Sequence, residues 1–160
     1  MSLQFIIDGY NVINHPEFNR LSNKRTPDKR VEFISLIKKN NLCGSSNNKA
    51  IVVFDGHSVD LEGYDFSPVA KVIFSRNESA DQRIKRIVED SLNPKNIVVV
   101  TDDKEIVFFC KSLKAKVMPV ADFLIREPVV KKTRIDSSGQ DLSYQQVADI
   151  NNELKKLWLK

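Results

Sequence analysis

The sequence predicts an α/β protein with a mostly parallel sheet and helices on both faces. Short apolar runs of strand length alternate with segments whose apolar residues recur at helical spacing. Several of those runs are apolar throughout, which is typical of strands buried on both faces of a parallel sheet. A chain of 160 residues is long enough to form one domain with a core of its own.

The first strand begins at Phe5, and the Asp8-Gly9 step at its end indicates a sharp turn of the backbone. A polar, basic stretch over residues 15–29 follows. A helix is then predicted over residues 27–39, with Thr26 as its N-cap and a proline at its first position.

The middle of the chain alternates loops and apolar runs. The predicted elements are a loop over residues 40–49, a strand over 50–54, an irregular segment over 57–68 and a strand over 69–74. Ser79 is placed to cap a helix over residues 80–92, and Ile84, Ile87 and Val88 fall on one face of that helix.

The alternation continues after this helix, which an Asn-Pro step ends. The predicted elements are a strand over residues 97–100, a helix over 105–113, a strand over 115–118 and a short helix over 120–126. In a doubly wound sheet with the strand order 3-2-1-4-5, the fourth strand lies beside the first.

The composition of the chain changes near Pro128. We predict one domain over residues 1–127, and a basic linker with a C-terminal helix over residues 128–160. The helix is expected to start near Ser143, with Gln146 as its capping-box partner. We expect it to dock on the domain, and a partner-binding helix is the alternative.

Composition and charge exclude several classes of protein. No apolar run approaches the roughly 20 residues that span a membrane, and the N-terminal residues lack the order of a signal peptide. Cys43 and Cys110 form no CxxC pair, so a reducing cytoplasm is the expected location. The net charge of +4 mildly favours an anionic partner.

Acidic residues recur where a parallel sheet exposes its reactive edge. They are Asp8 after the first strand, Asp55 after the second, Glu78 and Asp81 around the start of the middle helix, and Asp102 and Asp103 after the fourth strand. Each has a structural alternative: the Asp-Gly steps as turns, Asp81 as a helix N-terminal charge, and Asp102 with Glu105 as a capping box.

Several carboxylates at one edge would repel one another unless a cation lies among them. Carboxylate oxygens suit Mg²⁺ or Mn²⁺, whereas zinc prefers the histidine and cysteine that are scarce here. Such a cluster favours phosphoryl chemistry with a metal-activated water. No Walker A, GxSxG, GxGxxG or HExxH motif points to another reaction.

Four motifs together resemble the NYN domains of the YacP type, in the PIN-like nuclease superfamily. They are DGYNVI at residues 8–13, VVFDGH at 52–57, ESAD at 78–81 and VVTDD at 99–103. The resemblance runs in order over about residues 4–126, and the C-terminal helix is similar to the family's tail. It implies a PIN-like (Rossmann-like) three-layer fold and a metal-dependent endoribonuclease that acts on RNA.

The resemblance also implies roles for particular residues. It makes Asp8, Asn11, Asp81 and Asp103 the catalytic set. The position after the strand leaves Asp102 and Asp103 equivalent as metal ligands, and the resemblance favours Asp103. In the family's fourth-strand motif, Thr101 and Asp103 are the matching positions, and Glu78 matches the acidic residue before the helix.

One position departs from the family pattern. Four residues after Asp81, on the same helix face, these proteins commonly carry glutamate, and this chain carries Lys85. Three interpretations stay open: Lys85 lowers metal occupancy, contacts the scissile phosphate, or marks reduced activity.

Basic residues just after the first strand are the candidates for RNA backbone contacts. They are Arg20, Lys24, Arg25, Lys29 and Arg30, and Lys131, Lys132 and Arg134 form a second group. A solvated loop and helix start is the alternative for the first group. Tyr10 is placed to stack on a base or to pack in the core, and His57 is a proton shuttle or an ordinary loop histidine.

Three functions are compared. The favoured one is a metal-dependent endoribonuclease. The second is a catalytically weak or inactive RNA- or ribosome-associated binding protein, and Lys85 is the residue that favours it. A phosphatase with Asp8 as nucleophile ranks last, because Tyr10 stands where a second aspartate is usual. The RNA target and the oligomeric state are left open by the sequence.

Overall fold

The computed structural model describes residues 2–22, 27–45, 47–57 and 70–126. All of them belong to one compact unit, which spans Met1–Val129. The strands are β1 (Gln4–Asp8), β2 (Lys49–Phe54), β3 (Lys71–Phe74), β4 (Ile97–Val100) and β5 (Lys116–Met118). The helices are α1 (Gly9–Ile13), α2 (Pro16–Leu21), α3 (Lys29–Lys39), α4 (Ala80–Glu89), α5 (Lys104–Ser112) and α6 (Val120–Leu124).

The described strands form one sheet in the order β3-β2-β1-β4-β5, which confirms the predicted topology. Every pairing is parallel. β1 lies at the centre, with Asp8 opposite Val53 of β2 and Ile7 opposite Val100 of β4. Because the strands are parallel, the residues that follow β1, β2 and β4 all emerge at the same edge of the sheet.

The alternating side chains of the strands divide the core into two layers. Phe5 and Ile7 of β1 face a cluster that includes residues of α1, α2, α3 and α6. Ile6, between them, faces the second cluster, which contains Ile84 of α4 and Ile106 of α5. The sheet is therefore covered on both faces, as the sequence predicts for a three-layer fold.

The segment after β1 differs from its prediction as a turn and a polar stretch. The chain enters α1 directly at Gly9, and α2 follows, with His15 as N-cap and Pro16 at its first position. Phe18 of α2 is fully buried, in edge-on contact with Phe33 of α3. These helices have five and six residues, too short for an apolar period to show in the sequence.

The first long helix starts two residues later than predicted. Its N-cap is Asp28, whose Oδ1 accepts a hydrogen bond from the Arg30 N–H at 2.9 Å. An aspartate is a stronger N-cap than the predicted threonine, and Thr26 itself lies outside the described residues. α4 also ends early, at Glu89, and Leu92 beyond it is fully exposed.

The predicted boundary at residues 127 and 128, and the helix from Ser143, lie outside the described residues and stay predictions. None of the helices in the described part of the chain is long and apolar enough to cross a membrane.

Candidate active site

An open cavity of about 460 Å³ lies at the carboxyl edge of the sheet. It is lined by Asp8, Tyr10, Asn11, Asn14, His15, Pro16, Asp55, Asp81 and Asp103. Three strand ends and the first turn of α4 contribute its carboxylates, so the topology brings together residues that are far apart in the sequence. This is the crevice in which open α/β sheets bind ligands.

Asp8 is the buried carboxylate of this cavity, with 5% of its surface exposed. Its carboxylate accepts hydrogen bonds from the backbone N–H of Asn11 and from Thr101 Oγ1, the latter at 3.4 Å. Burial raises the pKa of Asp8 to about 6, and the charges of Asp81 and Asp55 add to the increase. A cation in the cavity would favour the ionised form of Asp8.

Asp81 lies in the first turn of α4, and two devices hold that turn. Ser79 and Gln82 form a reciprocal capping box. Asp55 Oδ1 accepts a hydrogen bond from the Ala80 N–H at 2.6 Å, which ties the end of β2 to the start of α4. Asp55 therefore positions Asp81 as well as lining the cavity.

The pKa of Asp81 is raised. Partial burial is the main cause, and the charges of Asp103 and Asp55 contribute. Lys85 acts in the opposite direction. The carboxylates of Asp8, Asp55, Asp81 and Asp103 therefore lie close enough for their charges to affect one another.

The turn after β4 separates Asp102 from Asp103. Asp103 is the N-cap of α5: its Oδ1 accepts from the N–H of Glu105 at 2.9 Å, while its own N–H donates to Thr101 Oγ1 at 3.1 Å. The alternative of Asp102 as the capping residue is therefore wrong. Thr101 is buried and links Asp8 to Asp103 through its hydroxyl.

Asp102 makes different contacts from Asp103. Its Oδ1 accepts from the Val120 N–H at 3.0 Å, and its N–H donates to Asn11 Oδ1 at 3.3 Å. Its Oδ2 lies 3.6 Å from Nε2 of His15. Asp102 thus connects the end of β4 to α1 and α6. It is not one of the residues that line the cavity.

The sequence predicts Glu78 and His57 as site residues, but neither lines the cavity. The Glu78 carboxylate pairs with Arg86 at 2.7 Å and lies 3.6 Å from Arg83. His57 is exposed at the end of the segment after β2.

Lys85 lies beside the carboxylates and is held by an ion pair. Its Nζ is 2.6 Å from Oε1 of Glu105, and 5.6 Å from the centroid of the Phe109 ring. The hydrogen bond to Glu105 raises the pKa of Lys85, and the charges of Asp81 and Asp103 also raise it. The ammonium group is therefore a fixed positive charge next to the cavity.

The basic residues after β1 are compensated by neighbouring carboxylates more than the sequence suggests. Arg20 forms a salt bridge with Glu17 at 2.7 Å, and Arg30 forms a bidentate salt bridge with Asp28. Lys29 is exposed. The remaining candidates lie outside the described residues: Lys24, Arg25, Lys131, Lys132 and Arg134.

Two further lining residues complete the cavity. Tyr10 packs edge-on against Phe54, with ring centroids 5.3 Å apart, so packing accounts for the inner part of its ring. His15 also lines the cavity, and it is not among the predicted site residues. The His-Pro step was the available signal, since it places a cap before a proline at the first position of a helix.

The oxygen donors of this cavity fit Mg²⁺ or Mn²⁺ in chemical type. Among the residues that the structure describes, no group of three histidine, cysteine, aspartate or glutamate side chains is arranged to hold an ion. Mg²⁺ is commonly held by one or two carboxylates, with waters and substrate phosphate oxygens as the other ligands. The donor set matches that open kind of site.

The model of the YacP-like NYN domain family matches residues 5–159. Among solved structures, Rae1 (YacP) from Bacillus subtilis aligns with a TM-score of 0.57 and 23% identity, over 98% of this chain and 79% of that chain. A mutant form of the same protein aligns with a TM-score of 0.58 and 21% identity, over 98% of this chain and 80% of that chain. Comparison with the curated proteins finds no match.

The alignment with these solved structures shows that they share the α/β fold of this chain. The family match extends from β1 through the predicted C-terminal segment, which is nearly the whole length of the sequence. The chain belongs to the YacP-like NYN domain family.

Proposed function

We propose that this protein is a divalent-metal-dependent endoribonuclease whose active site is the carboxylate-lined cavity. Its family has a PIN-like ribonuclease fold, which supports ribonuclease activity at the family level. The observation that carries the proposal is Asp8, a buried carboxylate with its pKa raised to about 6, facing the same cavity as Asp81 and Asp103. A carboxylate with a strongly raised pKa in a cleft is typical of functional sites.

In this proposal Asp8, Asp81 and Asp103 hold Mg²⁺ or Mn²⁺, which when bound activates water and stabilises charge on the phosphate. The protein's own task is to fix those carboxylates. Thr101 orients Asp8 and the Asp103 backbone, and the Asn11 N–H orients Asp8.

Other residues act by position. Asp55 holds the start of α4, and Asp102 ties the turn after β4 to α6, so we assign both to support of the site. Glu78 is assigned to its arginine pairs rather than to a metal. RNA is the proposed substrate, and the exposed Lys29 is one contact for its backbone.

Incubation of the purified protein with RNA and Mn²⁺ tests the proposal. We expect cleavage by the wild type, and loss of cleavage by at least a hundredfold in Asp8→Asn, because one carboxylate ligand is replaced by a neutral amide. The variant's circular dichroism spectrum should match the wild type. Cleavage by Asp8→Asn at the wild-type rate would contradict the proposed site.

A second candidate function is a catalytically inactive RNA- or ribosome-associated binding protein. The fixed ammonium group of Lys85 beside the carboxylates favours it, because a positive charge there competes with a metal ion. If the wild type and Asp8→Asn were equally inert on RNA, alone and with ribosomes present, yet both bound RNA, this second function would replace the first.

A further inference from the structure

His15 stands at the rim of the cavity, outside the carboxylate set. It caps α2, and its side chain is 22% exposed. The cavity that it lines also contains Asp8, Asp81 and Asp103.

The hydrogen bonds of His15 fix which ring nitrogen carries the proton. Nδ1 accepts a hydrogen bond from the Glu17 N–H at 3.1 Å. A nitrogen that accepts is unprotonated, so the proton of the neutral ring is on Nε2. The cap of α2 therefore presents Nε2–H as a donor.

Among the residues that the structure describes, none makes a good hydrogen bond with that donor. The nearest carboxylate oxygen, Oδ2 of Asp102, lies 3.6 Å from Nε2, longer than a good hydrogen bond. The other oxygen of Asp102 already accepts from Val120. An anionic oxygen entering the cavity would make a better partner for Nε2–H.

Two amide side chains line the cavity together with His15. They are Asn11 and Asn14, and Asn11 Oδ1 already accepts from the Asp102 N–H, which leaves its NH₂ group to donate. The carboxylates of Asp8, Asp55, Asp81 and Asp103 line the same cavity. The cavity thus combines hydrogen-bond donors with a set of carboxylates.

We propose that His15 is a substrate-binding residue, whose Nε2–H donates to a non-bridging phosphate oxygen of the RNA backbone beside the cleaved bond. This inference rests on the proposed function, because it needs RNA in the cavity. A donor outside the carboxylate set binds the phosphate without displacing a cation from the carboxylates. The carboxylates then act on one phosphate while His15 holds the backbone in place.

Two substitutions at this position separate substrate binding from capping. Asn places Oδ1 where Nδ1 lies and keeps the cap, but it lacks a donor at Nε2. Gln places an NH₂ where Nε2 lies and keeps the donor, but it is a poor N-cap. We therefore expect opposite effects from His15→Asn and His15→Gln.

The probe is a fluorescein-labelled single-stranded RNA of mixed sequence, with affinity measured by anisotropy in EDTA at pH 8, and KM and kcat measured with Mn²⁺. For His15→Asn we expect roughly tenfold weaker RNA binding and a raised KM, with kcat and melting temperature close to wild type. For His15→Gln we expect near wild-type RNA affinity, and a melting temperature lower by roughly 3 °C.

The inference would be overturned if His15→Asn kept the RNA affinity and KM of the wild type. That result would mean that His15 acts only as a cap. Cleavage by the wild type in that same experiment would leave the proposed nuclease intact. A wild type that neither binds nor cleaves RNA would overturn both the inference and the proposed function.

Discussion

At the scale of a single residue, Asp8 is a carboxylate in a position that disfavours its charge. It ends the central strand, where its side chain is buried, and it belongs to a set of carboxylates that repel one another. Two hydrogen bonds to its carboxylate offset part of this energy, yet its pKa stays well above that of an ordinary aspartate. The fold keeps a destabilising charge where the proposed chemistry needs it.

This position of Asp8 gives a pH-dependent effect on stability. The pKa of Asp8 is about 6 in the folded protein against an ordinary value of 3.8. The folded state therefore binds the proton more tightly, and stability falls as pH rises from about 4 to about 6. In Asp8→Asn this loss is absent, so we expect a gain of about 1–3 kcal/mol at pH 8 in EDTA that vanishes near pH 4.

Urea unfolding at both pH values measures the difference between Asp8→Asn and the wild type. Added Mn²⁺ should stabilise the wild type and not the variant, because the ion binds the folded carboxylates. Equal stability of the two proteins at pH 8 would mean that Asp8 is not strained in the folded state.

Lys85 is the second residue with a measurable electrostatic effect. Its ammonium group lies in an ion pair next to Asp81, and it lowers the pKa of that carboxylate. Lys85→Met should therefore bind Mn²⁺ about threefold to tenfold more tightly by calorimetry, because a repelling positive charge is removed. The control is Lys111→Met. Lys111 is an exposed lysine of α5, the helix that also carries Glu105, and this variant should bind Mn²⁺ like the wild type.

At the scale of elements, the step from β1 into α1 depends on close packing. Gly9 does not adopt a left-handed conformation, so the Asp-Gly step is not required by the backbone turn as the sequence suggests. A Cβ at Gly9 would instead lie 2.3 Å from the Phe54 ring. The glycine lets α1 approach β2, and that contact places Asp8 and Asn11 in the cavity.

Gly9→Ala tests this packing. We expect a loss of roughly 1–3 kcal/mol in unfolding free energy, since the new methyl group overlaps the ring of Phe54 and forces a shift. Cleavage should fall as well, because α1 carries Asn11. Combining Gly9→Ala with Phe54→Leu should make the two losses less than additive, whereas strict additivity would rule out the clash.

The elements also show what a sequence can and cannot predict. The apolar runs of β1, β2 and β4 gave their positions closely, because residues buried on both faces must all be apolar. α1 and α2 were missed, since their positions depend on packing against Phe54 and Phe33 rather than on a local period. His15 was missed with them.

At the scale of the whole molecule, the parallel sheet brings the site together. Asp8 ends β1, and Asp55 and Asp103 follow the neighbouring strands β2 and β4, so the strand order alone places all three at one edge. That convergence was predictable from the sequence once the order was assumed. The different orientations of Asp102 and Asp103 were not, because they depend on hydrogen bonds to α5 and α6.

The direct test of the active site is RNA cleavage with Mn²⁺ by Asp81→Asn. Asp81 is partly exposed on the first turn of α4, so the amide should change the charge of the cavity without unfolding the protein. Asp90→Asn, at the other end of the same helix, is the matched control. We expect cleavage by the wild type and by Asp90→Asn, and at least a hundredfold loss in Asp81→Asn. Equal cleavage by all three proteins would contradict the assignment of this cavity as the place where RNA is cut.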